Sequence, residues 1–179
     1  MPRTNGSTLD AITLLKQDHR TVEELFERFE STSGKSTKAK IAQQVCVELM
    51  VHATIEEEIF YPAIKDAVDE EIRNEAYVEH DGAKVLIAEI LAGNPDDKFY
   101  DAKVKVLSEM IKHHVKEEEQ RDGMFAQAKS GDVDLRELGA ALAARKAELT
   151  DEFERNGLPP PQTRVMAGGE IHRGQRVDA

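Results

Sequence analysis

Six histidines occur in the 179 residues, at positions 19, 52, 80, 113, 114 and 172. Four of them, His19, His52, His80 and His114, fall on apolar stripes with the three-and-four spacing of an amphipathic helix. On two of those stripes a glutamate follows one turn later, Glu56 after His52 and Glu118 after His114. Residues four apart share a helix face, so each His-x-x-x-Glu pair aims an imidazole and a carboxylate into the same space. Burying an unpaired carboxylate is very costly, and a bound cation removes that cost by replacing water as its partner. Imidazole with carboxylate suits iron, zinc or manganese, whereas calcium and magnesium prefer all-oxygen shells. Two carboxylates opposed in a helical bundle can bridge two metals. His113 also has a glutamate four residues on, Glu117, but its stripe through Val106 and Met110 is less consistent, so His113 reads as a surface residue.

The elements that must position these groups follow from the same periodicity. Residues 1–7 read as a loose leader, with Ser7 or Thr8 as the first N-cap. A first helix then runs to about Glu30 on a stripe of Ile12, Leu15, His19, Val22, Phe26 and Phe29. STSGKST (31–37) breaks it, with Ser36 as the next N-cap. A second helix over 37–66 carries Ile41, Val45, Leu49, His52 and Glu56, then Ile59 or Phe60, and Ala63. DAVDEE (66–71) turns the chain into a third helix with Ile72, Ala76, His80, Ala83, Ile87 and Ile90. Past AGNPDD (92–97), a fourth helix holds Tyr100, Val104, Leu107, Ile111, His114 and Glu118 and persists to about Lys129.

A fifth helix over about 135–155, with Leu135, Leu138, Leu142, Leu149 and Phe153 on one face, reads as a flank or lid. Gly157 and the prolines at 159–161 stop it, and the polar, Gly-rich end reads as disordered. The expected fold is all-α: an up-down-up-down four-helix bundle over 8–130, an extra C-terminal helix over 131–157, and a disordered tail over 158–179.

Height along the bundle tests the constellation independently. In an up-down bundle, groups at one level lie at equal chain distance from the turn between them. The midpoints between successive histidine-bearing sites fall at roughly 36, 67 and 98. The first two are predicted turns and the third lies just beyond AGNPDD. Four imidazoles and two carboxylates are therefore expected at one level of the core.

Composition bounds the rest. The hydrophobic share is 40%, the charged share 33% and the aromatic share 5%, a mix that suits amphipathic helices better than sheets. A formal charge of −11 argues against a nucleic-acid groove or an anionic membrane surface. The single cysteine, Cys46, excludes a disulfide framework and a Cys-type zinc site, and it reads as packing. With no signal-peptide h-region and no run long enough to span a bilayer, the reading is a soluble, cytoplasmic protein.

Four pieces in order, KQDHRTVEELF (16–26), HATIEEEIFYP (52–62), VEHDGAKVLIAEIL (78–91) and HHVKEEE (113–119), resemble the hemerythrin-like, HHE cation-binding domain family over about 8–128. The resemblance implies a non-haem di-iron centre, two irons per chain. His19 and His52 would hold one iron, His80 and His114 the other, with Glu56 and Glu118 bridging. Many members carry a second histidine four after the third-helix one; here that position is Lys84, which leaves the second iron one protein ligand short. A Tyr77 phenolate could fill the place, although a tyrosine there is more commonly core. Glu23 and Glu48 are candidate acceptors for the imidazoles, or else solvated surface acids. The second motif also carries extra residues, EEEQRDGMF.

The implied function is oxygen, redox or iron sensing or handling, with O₂, NO or peroxide as small ligands and no assigned protein partner. The alternatives are a di-iron enzyme decomposing peroxide or NO, and a helical interaction module without iron chemistry.

Overall fold

The structure is a computed structural model that describes residues 9–166. Its helices are α1 (Ala11–Ser31), α2 (Lys35–Ile55), a π-helical turn (Glu56–Phe60), α3 (Tyr61–Ala63), α4 (Glu70–Leu91), α5 (Tyr100–Glu119), α6 (Met124–Ser130) and α7 (Leu135–Asn156). There is no strand among the described residues. α1 packs on α2, α2 on α4, α4 on α5, and α5 returns to α1, closing the expected four-helix bundle. α6 packs on α5, while α7 lies across α1, α2 and the π turn. No helix among the described residues is long and apolar enough to cross a membrane.

Local chemistry explains each boundary. Ser7 and Thr8 lie outside the described residues, and the cap of α1 is Asp10, whose carboxylate accepts from the Thr13 N–H at 3.0 Å and from its hydroxyl at 2.7 Å. The expected stripe Ile12, Leu15, His19, Val22, Phe26 and Phe29 is buried. Gly34, rather than Ser36, caps α2.

The second helix departs from a continuous α-helix over 37–66, because Glu56–Phe60 form a wider π turn. Pro62 stands just after it; proline cannot donate to the carbonyl four residues back, and its ring would strike that carbonyl in α-geometry. The fourth helix does not persist to Lys129 either. It stops at Glu119 and restarts at Met124. Gly123 in the break admits no side chain, since a Cβ there would lie 2.3 Å from the Glu117 carbonyl oxygen.

α7 begins on Asp134, which accepts from the N–H groups of Arg136 and Glu137, and ends at Gly157 with φ of 76°. It crosses closely over the entry to α1, where a Cβ on Gly139 would lie 2.2 Å from the Leu9 carbonyl oxygen. Residues 158–166 carry no helix, yet their end is held against α4 by backbone hydrogen bonds to Asp81. The rest of the tail, residues 167–179, lies outside the described residues.

Candidate metal centre

His19 projects from α1, His52 from α2, His80 from α4 and His114 from α5, with Glu56 at the start of the π turn and Glu118 near the end of α5. All six are buried. Their ligand atoms form two groups that share Glu56: His19, His52, Glu56 and Glu118, and Glu56, His80 and His114. His19 Nε2 and His52 Nε2 are 3.2 Å apart, as are His80 Nε2 and His114 Nε2. Glu56 Oε2 is 3.3 Å from both His52 Nε2 and His80 Nε2. Glu118 reaches both groups, with Oε2 3.3 Å from His19 Nε2 and Oε1 3.7 Å from His114 Nε2.

Each imidazole turns Nε2 inward and Nδ1 toward a carboxylate on the neighbouring helix. Glu119 Oε1 stands 2.7 Å from His19 Nδ1, Asp18 Oδ2 3.5 Å from His52 Nδ1, Glu57 Oε1 3.0 Å from His80 Nδ1, and Glu79 Oε2 2.7 Å from His114 Nδ1. A carboxylate on Nδ1 keeps a proton there, orients the ring and leaves the Nε2 lone pair for a metal. Glu23 instead pairs with Arg20 at 3.2 Å, and neither it nor Glu48 supports an imidazole.

The supporting acids have a sequence signal that the core stripes hide. Every one is the immediate neighbour of a ligand residue: Asp18 before His19, Glu57 after Glu56, Glu79 before His80 and Glu119 after Glu118. The pattern Asp/Glu-His followed by His-x-x-x-Glu-Glu thus occurs twice, once in each half of the bundle.

Tyr61 is the other residue that the stripes do not reveal. Its hydroxyl lies 3.2 Å from Glu56 Oε2, 3.1 Å from Glu118 Oε1 and 3.3 Å from His80 Nε2. The π turn explains this placement. The Tyr61 N–H bonds the Glu56 carbonyl, five residues back, so position 61 rather than 60 comes around to the face of Glu56. Tyr77 stands behind it, ring against ring edge-on at 5.2 Å. In the other half, after the break at Gly123, Phe125 stacks on His19 at 5.8 Å while Tyr61 stacks on His80 at 5.6 Å.

Lys84 is buried and does not act as a ligand. Its ammonium sits 2.7 and 2.9 Å from the two oxygens of Glu57. His113 is exposed, with Nε2 3.4 Å from Glu79 Oε1.

The electrostatics ask for positive charge. Burial alone would lower the His19 pKa, but Glu118 and Glu119 hold it up to about 10. For His80 burial is likewise outweighed, by Glu56 and Glu57, and the pKa stands at about 9. Glu119 is held down at about 2 by its bond to His19. Burial works to raise the Glu118 pKa, yet His114 and His19 pull it below the ordinary carboxylate range. Burial and then the charges of Glu118 and Glu56 push the Tyr61 phenol well above its usual value.

The donor set fits a metal. Glu56 Oε1 is buried with no hydrogen-bond partner and Glu118 Oε2 makes no well-formed hydrogen bond, having only His19 Nε2 at 3.3 Å. That is a costly state for carboxylate oxygens and the one expected where a cation is the intended partner. Beside the cluster lies a cavity of about 20 Å³ lined by the four imidazoles and by Val22, Leu49, Ile87 and Ile111.

Comparisons with known proteins bear on the family and the fold. A curated DNA nickase from Nostoc sp. (strain PCC 7120 / SAG 25.82 / UTEX 2576) is 27% identical over 106 residues, covering 59% of this chain but only 30% of that protein's length. The crystal structure of a hemerythrin HHE cation binding domain-containing protein from Mycobacterium kansasii shares the fold with a TM-score of 0.70. It is 21% identical, covering 84% of this chain and 95% of that one. Residues 10–126 match the hemerythrin HHE cation binding domain, and the chain belongs to that family.

Proposed function

We propose that this protein holds a non-haem di-iron centre and uses it to sense or handle O₂, NO or peroxide. The carboxylate oxygens Glu56 Oε1 and Glu118 Oε2 carry the reading: they are buried among four inward-facing imidazoles, the first with no hydrogen-bond partner and the second with only His19 Nε2, at 3.3 Å. His19 and His52 would hold one iron, His80 and His114 the other, with Glu56 and Glu118 shared between them. Bound iron would supply one-electron redox chemistry toward these small ligands.

The chain's own residues set the terms of that chemistry. The acids on Nδ1 keep all four Nε2 atoms aimed inward. The cavity of about 20 Å³ beside the imidazoles has space for a water-sized molecule. Its aliphatic walls limit water at the cluster. Tyr61 brings a hydroxyl to the edge shared by both groups, within reach of Glu56, Glu118 and His80.

The deciding experiment is anaerobic Fe(II) loading followed by desalting and iron analysis. Two irons per chain support the reading, one supports a mononuclear sensor, and none removes the iron chemistry. The alternative reading, turnover of peroxide or NO, is favoured by the Tyr61 hydroxyl, which could give and recover a proton at the cluster. Sustained peroxide loss by the iron-loaded protein, with iron content unchanged, would select it. A stable ferric form that consumes no peroxide would select the sensor.

A further inference from the structure

Residues 131–166 lie beyond the stretch that matches the family, and several of their contacts end on acids beside the proposed ligands. Lys146 of α7 pairs with Asp18, next to His19, and Arg145 bonds Glu58 at 2.8 Å. The densest contact is made by the end of the described chain. The N–H groups of Arg164, Val165 and Met166 all donate to the carboxylate of Asp81, at 2.8, 2.6 and 2.8 Å. Asp81 is fully buried and follows His80. The Arg164 guanidinium covers the Tyr77 ring at 5.0 Å and donates to the Glu57 carbonyl at 3.2 Å.

Two buried carboxylates, Asp81 and Glu57, stand near one ammonium. Lys84 Nζ is 3.5 Å from Asp81 Oδ1 but 2.7 Å from Glu57 Oε1. Three backbone donors satisfy Asp81 without Lys84, because an ionised acceptor gains strongly from each N–H aimed at it. Lys84 is thereby left to Glu57, and Glu57, held from both sides, accepts from His80 Nδ1 at 3.0 Å. Without those donors the nearest cation to Asp81 is Lys84, and the carboxylate would compete with Glu57 for that ammonium.

We propose that Arg164–Met166 form a latch that positions His80 through Asp81, Lys84 and Glu57. This rests on the reading of the cluster as a metal centre. Lys146 serves His52 separately, through Asp18, so the C-terminal extension orients one imidazole in each half of the centre.

The test uses the full chain with ¹⁵N-labelled histidine, loaded with zinc as a diamagnetic probe, and follows ring nitrogens and ring N–H protons by NMR. Zinc should shift four Nε2 resonances and leave four protected Nδ1–H signals. If zinc moves none of the ring nitrogens, the metal reading falls and the latch with it. A chain ending at Gln162 keeps α7 and Leu158, which packs on the core. It should retain its zinc while one of the four N–H signals moves and exchanges with solvent roughly tenfold faster or more, as local opening allows.

Asp81→Asn, which presents an NH₂ to the backbone donors, should move that same signal, and combining it with the shortened chain should add nothing. Lys146→Gln should move a different signal. Four unchanged signals in the shortened chain would overturn the latch. So would equal changes in all four with a lowered Tm, since that pattern means general loosening.

Discussion

Tyr61 Oη lies 3.2 Å from Glu56 Oε2, five residues earlier in the chain, because one π turn separates them where an α turn would not align them. If a ferric form of this protein shows a phenolate charge-transfer band in the visible, Tyr61→Phe should abolish it and Tyr77→Phe should retain it. Absorbance of the iron-loaded variants checks this. In the metal-free protein the same Tyr61→Phe change removes the one hydrogen bond its hydroxyl donates to a charged acceptor, Glu118 or Glu56, worth about 1.5–3 kcal/mol. A fall in the urea midpoint with an unchanged slope would register that loss.

Metal loading should release protons. The His19 pKa is held up to about 10 and that of His80 to about 9, so among protein groups alone both rings are protonated at pH 7. A cation must displace those protons, so apparent affinity should rise with pH, and binding heats should depend on the ionisation enthalpy of the buffer. The sign for stability follows from the same shifts. A raised folded pKa stabilises the metal-free protein fully below 6.5, the ordinary value of a free imidazole, and that contribution is lost as pH rises through about 9 to 10. Melting in chelator should therefore weaken across that window, while the metal-loaded protein stays flat there.

Gly123→Ala should destabilise the protein by about 1–3 kcal/mol, in the range of other overpacking changes. The added Cβ would meet the Glu117 and Glu118 carbonyl oxygens at 2.3 and 2.9 Å, and backbone cannot swing aside as a side-chain tip can. Because Glu118 itself must shift, the variant should also lose metal to a chelator faster than the parent. Equal loss rates would show that the break in α5 is independent of the centre.

Cys46 should be inert to thiol reagents while the protein is folded. Its side chain is fully buried, and burial pushes the thiol up to about 12, so thiolate is scarce at neutral pH. Disulfide-exchange labelling should follow the rate or extent of global unfolding and accelerate with urea. Fast labelling in native buffer would contradict the packing seen around α2.

The bundle and the six proposed ligands were legible because a residue and the one four later share a helix face. Five of the six ride on regular α-helices, and Glu56 opens the π turn, still four residues after His52. His52 with Glu56 and His114 with Glu118 need nothing else to be found. Tyr61 escaped that rule because the helix widens between it and Glu56, and a stripe extended at α spacing passes through Ile59 or Phe60 instead. Asp18, Glu57, Glu79 and Glu119 escaped for another reason. Each points sideways from its helix to the histidine of a neighbour, so the apolar stripe does not mark it and only its place beside a ligand residue does. The stop at Glu119 depends on a contact of Gly123 with its own preceding turn, and Asp-Gly in a polar stretch was the only trace of it.

The four carboxylate–imidazole contacts run in one direction around the bundle, from α5 to α1, α1 to α2, the π turn after α2 to α4, and α4 back to α5. No helix steers its own histidine. Each imidazole takes its aim from next door, so the cluster is a property of the closed ring. A loosened state that keeps its helices but lets them drift apart would lose all four orientations together. Metal retention in such a protein would report assembly itself, and a chain docked in the wrong order could not counterfeit it.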